Sequence, residues 1–220
     1  RLSGRKDHFR FIFDNAIPLS RGLGSSSAVI IGAIASAYEM AGFKAEKEKI
    51  LNKALKYENH PDNIAPAALG GFVVSMVENE KVFSIKKDLD ENLNAVVVIP
   101  NVAMSTEQSR NALPSNLSLK DCVFNLCHSS FLTACFLEKK YDLLALAGKD
   151  LLHQTRRMQN LPELFEVQKF ALENKALMST LSGSGSSFFN LAYKDDAKHL
   201  AQKMEQKFRN FKILCLEFDN

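Results

Sequence analysis

Several short stretches of this chain combine residue types that can hold, orient or transfer a phosphate. The first is Pro18-Leu19-Ser20-Arg21-Gly22-Leu23-Gly24-Ser25-Ser26-Ser27-Ala28, two glycines and three consecutive hydroxyls ahead of an Ala-rich apolar run. Glycine lets a backbone turn tightly and come close to a ligand. The exposed N–H groups and positive dipole end of a following helix suit an anionic phosphate, and a serine hydroxyl can ligate Mg²⁺. A serine-capped helix after a glycine turn uses the same letters, but the full run is more specific than Gly-x-Gly alone. No Walker A sequence occurs, and no His-Arg-Asp or Asp-Phe-Gly accompanies the loop, so the two commonest nucleotide-phosphate motifs are excluded.

The second stretch is Glu58-Asn59-His60-Pro61-Asp62-Asn63-Ile64-Ala65-Pro66. Its carboxylates can complete a magnesium site or hold a polar substrate. Read alone, it is a helix end, a proline turn and a new helix cap. The third, Met104 to Pro114, sets Thr106 and Arg110 on one helical face, and a guanidinium can hold a carboxylate through two parallel hydrogen bonds. The fourth, Asp150-Leu151-Leu152-His153-Gln154-Thr155-Arg156-Arg157, runs towards Leu161-Pro162. The fifth, Leu181-Ser182-Gly183-Ser184-Gly185-Ser186-Ser187, is a glycine loop between two apolar runs. The histidines show no metal-ligand spacing.

The elements that must position these residues follow from pattern. Phe11–Phe13 reads as a short strand, Ser26–Ala41 as a helix closed by Gly42, and Glu46–Tyr57 as an amphipathic helix with Ile50, Leu51, Ala54 and Leu55 opposite solvated Lys47, Lys49, Lys53 and Lys56. Phe72–Val77 and Val82–Ile85 form a hairpin around residues 78–80. Asp88–Asn94 is polar and reads as a linker. Beyond it come a buried strand at Ala95–Ile99, helices to about Glu173, strands at Ala176–Leu181 and Ser186–Ala192, a helix from Asp195 and a last strand at Phe211–Phe218. Pooling the helices gives the order β-α-β-β-α-β, the split βαβ arrangement. The predicted division is residues 1–87 and 88–220.

Composition narrows the class of protein. With 28 basic and 25 acidic residues the net charge is only +3, which argues for neither nucleic acid nor an anionic membrane as partner. No apolar run approaches the roughly 18 residues of a membrane span. Three of the four cysteines lie on apolar helical stretches and none forms a Cys-x-x-Cys pair, which fits free thiols in a reducing cytoplasm.

The Pro-x-x-x-Gly-Leu-Gly-Ser-Ser-Ser run resembles the ATP-binding motif of the GHMP kinases, the family of galactokinases, homoserine kinases and mevalonate kinases. The His-Pro-Asp-Asn-x-Ala-Pro-Ala run before Gly70-Gly71 resembles the homoserine kinase branch, as do Ser-Thr-x-x-x-Arg before Leu-Pro and Asp-x-x-His-x-x-x-Arg before a proline. The Ser182–Ser187 loop resembles the third GHMP motif, with Ser186-Ser187 where many relatives have Pro-Thr. The likeness runs from about Pro18 to Phe218.

That resemblance implies an α+β fold of two lobes, an N-terminal lobe with the phosphate loop and a C-terminal split βαβ, ferredoxin-like lobe. It implies transfer of a phosphoryl group from ATP to L-homoserine, on the route to threonine. ATP is expected on Pro18, Leu19, Ser20, Arg21, Gly22, Leu23, Gly24, Ser25, Ser26 and Ser27, and on Gly183, Ser184 and Gly185. Ser26 and Glu58 would carry Mg²⁺, and Asn63 would sit near the acceptor hydroxyl. Asp62, Asn63, Thr106, Arg110 and Arg157 would contact the substrate, the two arginines on its carboxylate. No general base is assigned. The resemblance leaves room for a homodimer, for a mevalonate or sugar kinase of the same family, and for a nucleotide-binding relative without catalysis. The family's first motif, near its N-terminus, is absent, and the chain opens on a polar segment at Arg1. A preceding segment is therefore expected, without which the chain would be inactive.

Overall fold

The computed structural model describes residues 10–103, 109, 111 and 113–220. The chain divides into two compact units, one taking in residues up to Leu19 with Gly24–Asp88, the other Ser20–Leu23 with Leu89–Asp219.

The first unit packs three helices beside a hairpin. Helix α1 (Ser25–Met40) carries Ile31 and Ile34 on its buried stripe, α2 (Lys47–Ala54) carries Ile50, Leu51 and Ala54, and α3 (Pro61–Leu69) carries Ile64 and Ala65. These side chains share one core with Val82 of the hairpin. The lysines expected on the solvated side of α2 do lie away from this core. Proline opens α3 at its first position, where a fixed φ suits a helix and a missing N–H costs nothing. Strands β1 (Phe72–Glu78) and β2 (Lys81–Lys87) pair antiparallel, with Glu78 opposite Lys81. Asn79 and Glu80 both take positive φ, 49° and 60°, the tight-turn geometry that matches strand twist. Asn52 Oδ1 accepts the Val82 N–H at 2.8 Å and fixes α2 to the hairpin.

Two expectations need correction. Phe11–Phe13 is not a strand, and Ile12 is 86% exposed. A strand needs a neighbour to bond its N–H and C=O groups, and among the described residues this segment has none. Asp88–Asn94 is not a free linker. Leu89 is buried, Asp90 accepts the Asn92 and Leu93 N–H groups, and the next strand already begins at Leu93.

Gly32 lies exposed inside α1, and a Cβ added there would meet nothing within 4 Å. Gly32→Ala should therefore stabilise the protein by about 0.5–1 kcal/mol, the helix-propensity gain, readable as a higher urea midpoint.

The second unit is built on a four-stranded antiparallel sheet ordered β4-β5-β3-β6, with β3 (Leu93–Ile99), β4 (Met178–Leu181), β5 (Phe188–Tyr193) and β6 (Lys212–Leu216). Strand β3 pairs antiparallel with both β5 and β6, so each β-α-β crossover straddles a strand of the other. This is the split βαβ arrangement that the element order predicts. Helices α4 (Leu119–Leu137), α5 (Leu144–Ala147), α6 (Gln154–Met158) and α7 (Glu163–Glu173) lie between β3 and β4, and α8 (Lys194–Lys207) precedes β6. Side chains alternate across a strand. Val96 and Val98 of β3 face Leu164, Val167, Leu200 and Met204 of α7 and α8. Ala95, Val97 and Ile99 face the other way, where Leu23, Phe189, Leu214 and Phe218 pack on them. Among the described residues no helix is long and apolar enough to cross a membrane.

Candidate active site

In the first unit the start of α1 is built without a side-chain cap. Gly24 occupies the cap position at φ 70°, and only Ala28 N takes the Gly24 carbonyl. No acidic residue lies in the first turn, so the positive dipole end is not neutralised locally. The three serines that follow differ. Ser25 and Ser27 are buried, and Ser25 Oγ accepts a bond of 2.9 Å from Asn15 Nδ2. Ser26 is exposed, and its hydroxyl makes no bond among the described residues. A Cβ built on Gly24 would lie 3.4 Å from Asn63 Oδ1, so the first and second motifs meet at this helix end. Glu58, in the turn after α2, is half-buried, and Asp62, in the first turn of α3, is exposed. Neither side chain has a partner among the described residues.

In the second unit the two glycine loops lie backbone to backbone. Ser182 Oγ donates to Gly22 O at 2.8 Å, and Ser187 N donates to Arg21 O at 3.0 Å. The Ser182–Ser187 turn closes on itself through Ser182 N to Ser187 O and Gly185 N to Ser182 O, both 2.9 Å. Leu23, between the glycines of the first loop, is pinned by its packing on β3. Sequence reading treats Leu23 only as part of the nucleotide loop, and the structure makes it part of the core.

The fourth motif is the scaffold of the second loop. Asp150 Oδ2 accepts the N–H groups of His153 and Gln154 at 2.7 and 2.6 Å and so caps α6. Gln154 Oε1 accepts Leu181 N at 3.0 Å, where the loop begins. Arg157, one turn further on the same helical face, donates from Nη1 to Gly183 O at 3.0 Å and from Nε to Ser109 O at 3.3 Å. Ser109 Oγ in turn donates to Ser184 O at 2.5 Å. The structure therefore brings Arg157, Gly183, Ser184 and Gly185 together, and adds Ser109, Ser182 and Gln154, which sequence reading missed. Their only signal was proximity in sequence to residues already singled out. Thr106 and Arg110 lie outside the described residues.

His153 is half-buried beside this scaffold, and among the described residues its Nδ1 has no hydrogen-bond partner. Burial pushes its pKa below the ordinary 6.5, with Asp150 opposing and Arg157 adding to the shift. The unfolded chain takes up the proton first as pH falls, so stability drops below about pH 6.5 and levels off below the folded value. His153→Gln should make the loss of urea stability between neutral pH and about pH 5.5 shallower. An unchanged slope would show that His153 titrates normally.

A helix start capped by a left-handed glycine, and a glycine loop on a split βαβ sheet, narrow the class, and comparison with known proteins agrees. The GHMP kinases N terminal domain matches residues 1–71, and the GHMP kinases C terminal domain matches residues 133–210. The chain is similar to a homoserine kinase of Campylobacter jejuni, 73% identical over 220 residues that cover all of this chain and 75% of that protein. It is similar to one of Campylobacter concisus, 60% identical, covering 100% and 74%. The crystal structure of homoserine kinase from Cytophaga hutchinsonii superposes with a TM-score of 0.85 at 28% identity, covering 92% of this chain and 68% of that one. The chain belongs to the GHMP kinase family, in its homoserine kinase branch.

Proposed function

We propose that this chain transfers the γ-phosphoryl group of ATP to the side-chain hydroxyl of L-homoserine, giving O-phospho-L-homoserine for threonine biosynthesis. The observation that carries this reading is the 73% identity, over the whole chain, to a homoserine kinase of Campylobacter jejuni.

Phosphoryl transfer asks a protein mainly to position its reactants and to spread charge. In this reading the free N–H groups at Ser25, Ser26 and Ser27 receive phosphate oxygens, and the Gly183-Ser184-Gly185 loop closes on the nucleotide. Ser26 and Glu58 hold Mg²⁺. Among the described residues no three His, Cys, Asp or Glu side chains converge on one point. One carboxylate and one hydroxyl, both unpartnered, fit an ion that usually takes few protein ligands and completes its shell with phosphate and water. Held there, Mg²⁺ would supply positive charge that offsets the charge developing on the transferred phosphoryl group. Asp62 pairs with the substrate amine and Asn63 orients the acceptor hydroxyl. Thr106, Arg110 and Arg157 hold the carboxylate. Arg157 already gives two donors to the carbonyls of Ser109 and Gly183, so it both shapes this site and lends it positive charge. A cytoplasmic location fits the four free cysteines.

The test is an ATP-dependent phosphorylation assay of the protein carrying this chain against homoserine, homoserine without its amine, mevalonate and galactose. Homoserine should be the preferred acceptor, and the amine-free analogue a poor one. Equal use of mevalonate or galactose would overturn the substrate assignment.

A further inference from the structure

The segment that leaves β3 is held in an unusual way. Three consecutive carbonyls each accept a side-chain hydrogen bond. Pro100 O takes Arg21 Nε at 3.1 Å, Asn101 O takes Arg21 Nη2 at 3.0 Å, and Val102 O takes Ser186 Oγ at 2.5 Å. The third nitrogen of Arg21, Nη1, donates to Ser20 O at 3.2 Å. All three guanidinium nitrogens of this nucleotide-loop residue thus face backbone carbonyls. An arginine that grips phosphate presents its planar fork to the anion instead.

The far end of the same segment is fastened as well. Ser109 Oγ donates to Ser184 O, and Ser109 O accepts from Arg157 Nε. Both ends of the stretch from Pro100 to Ser109 are tied to the two glycine loops. In sequence this stretch carries Thr106 and leads directly into Arg110, the residues proposed above for the homoserine carboxylate.

We infer that Arg21 is a positioning residue for homoserine, acting from inside the nucleotide loop, rather than a phosphate ligand. The inference rests on the proposed homoserine kinase activity. Its guanidinium fixes where the Pro100–Val102 backbone leaves the sheet, and Ser186 fixes the next carbonyl from the second loop. Lysine has a single nitrogen on a flexible stem and cannot reach both carbonyls as the fork does. Against a phosphate, lysine would serve as a point charge. The lysine variant therefore separates the two roles.

The experiment measures KM and kcat for homoserine at saturating ATP, and for ATP at saturating homoserine, in the parent, Arg21→Ala, Arg21→Lys and Ser186→Ala. Thermal midpoints accompany each. Both Arg21 variants should raise the homoserine KM by about tenfold or more, the scale of losing charge-assisted bonds, with a smaller change in the ATP KM. Ser186→Ala should shift the homoserine KM in the same direction. Arg21→Lys at the parent's homoserine KM, or a rise confined to the ATP KM, would overturn the inference alone. If Arg21→Ala does not fold, Arg21→Lys decides: the parent's homoserine KM would overturn the inference, and a raised one supports it. A parent protein that does not phosphorylate homoserine overturns the functional reading and this inference with it.

Discussion

Gly22→Ala should abolish measurable nucleotide binding and cost more than about 4 kcal/mol of stability, the range reserved for severe steric or burial defects. A Cβ on Gly22 would lie 2.1 Å from Ser182 O, 2.8 Å from Gly185 N and 2.9 Å from Gly185 O. All three are backbone atoms, so no rotamer change relieves the clash. The φ of 73° adds a further penalty for any side chain. Relief requires the loops to separate, which breaks the Ser182 Oγ to Gly22 O and Ser187 N to Arg21 O bonds and lifts Leu23 from β3. Gly24 is a milder site. Its Cβ would meet Asn63 Oδ1 at 3.4 Å, an ordinary contact, leaving chiefly the roughly 1–2 kcal/mol cost of a left-handed conformation for Gly24→Ala. Urea unfolding and calorimetric ATP titration of both variants check the order. A Gly22→Ala protein that binds ATP as the parent does would show that the loops do not pack this way.

Glu58→Gln should lower kcat by at least about a hundredfold, on the scale of several kcal/mol for a metal ion's stabilisation of transition-state charge. It should also raise the Mg²⁺ concentration needed for half-maximal rate. The amide keeps the shape of the side chain and removes the charge that a hard cation prefers. Folding should be little affected, because the half-buried carboxylate makes no bond or ion pair among the described residues. A magnesium titration of turnover, with thermal midpoints of both proteins, separates the roles. Normal turnover at ordinary magnesium would reduce Glu58 to the residue that ends the turn after α2.

Much of the fold was legible because it is written in local periodicity. The stripe of Ile50, Leu51 and Ala54, the uninterrupted apolar run Ala95–Ile99 and the order β-α-β-β-α-β are properties of neighbouring residues, and the sheet order β4-β5-β3-β6 follows once the crossovers must cover a common sheet. Small boundary shifts, such as α1 beginning at Ser25 rather than Ser26 and β4 beginning at Met178 rather than Ala176, reflect the fraying of element ends. The five motifs were equally visible, since glycine, serine and proline announce loops through their own backbone preferences.

By itself, then, the sequence determined the α+β class, the split βαβ order and the position of the glycine- and serine-rich loops. Only the tertiary structure decided what those segments touch. Phe11–Phe13 has strand-forming residues but no paired neighbour among the described residues, and Leu23 is a core residue only because β3 lies beneath it. Gly22 owes its necessity to Ser182 and Gly185, far along the chain. Arg21 and Arg157 read as side chains for an anion, yet their donors go to the carbonyls of Pro100, Asn101, Ser109 and Gly183. The physical reason is common to all four cases. A residue's type and its neighbours fix its conformational range and its hydrogen-bonding capacity, while the partner that satisfies that capacity is chosen by the long-range packing that brings distant backbone within about 3 Å.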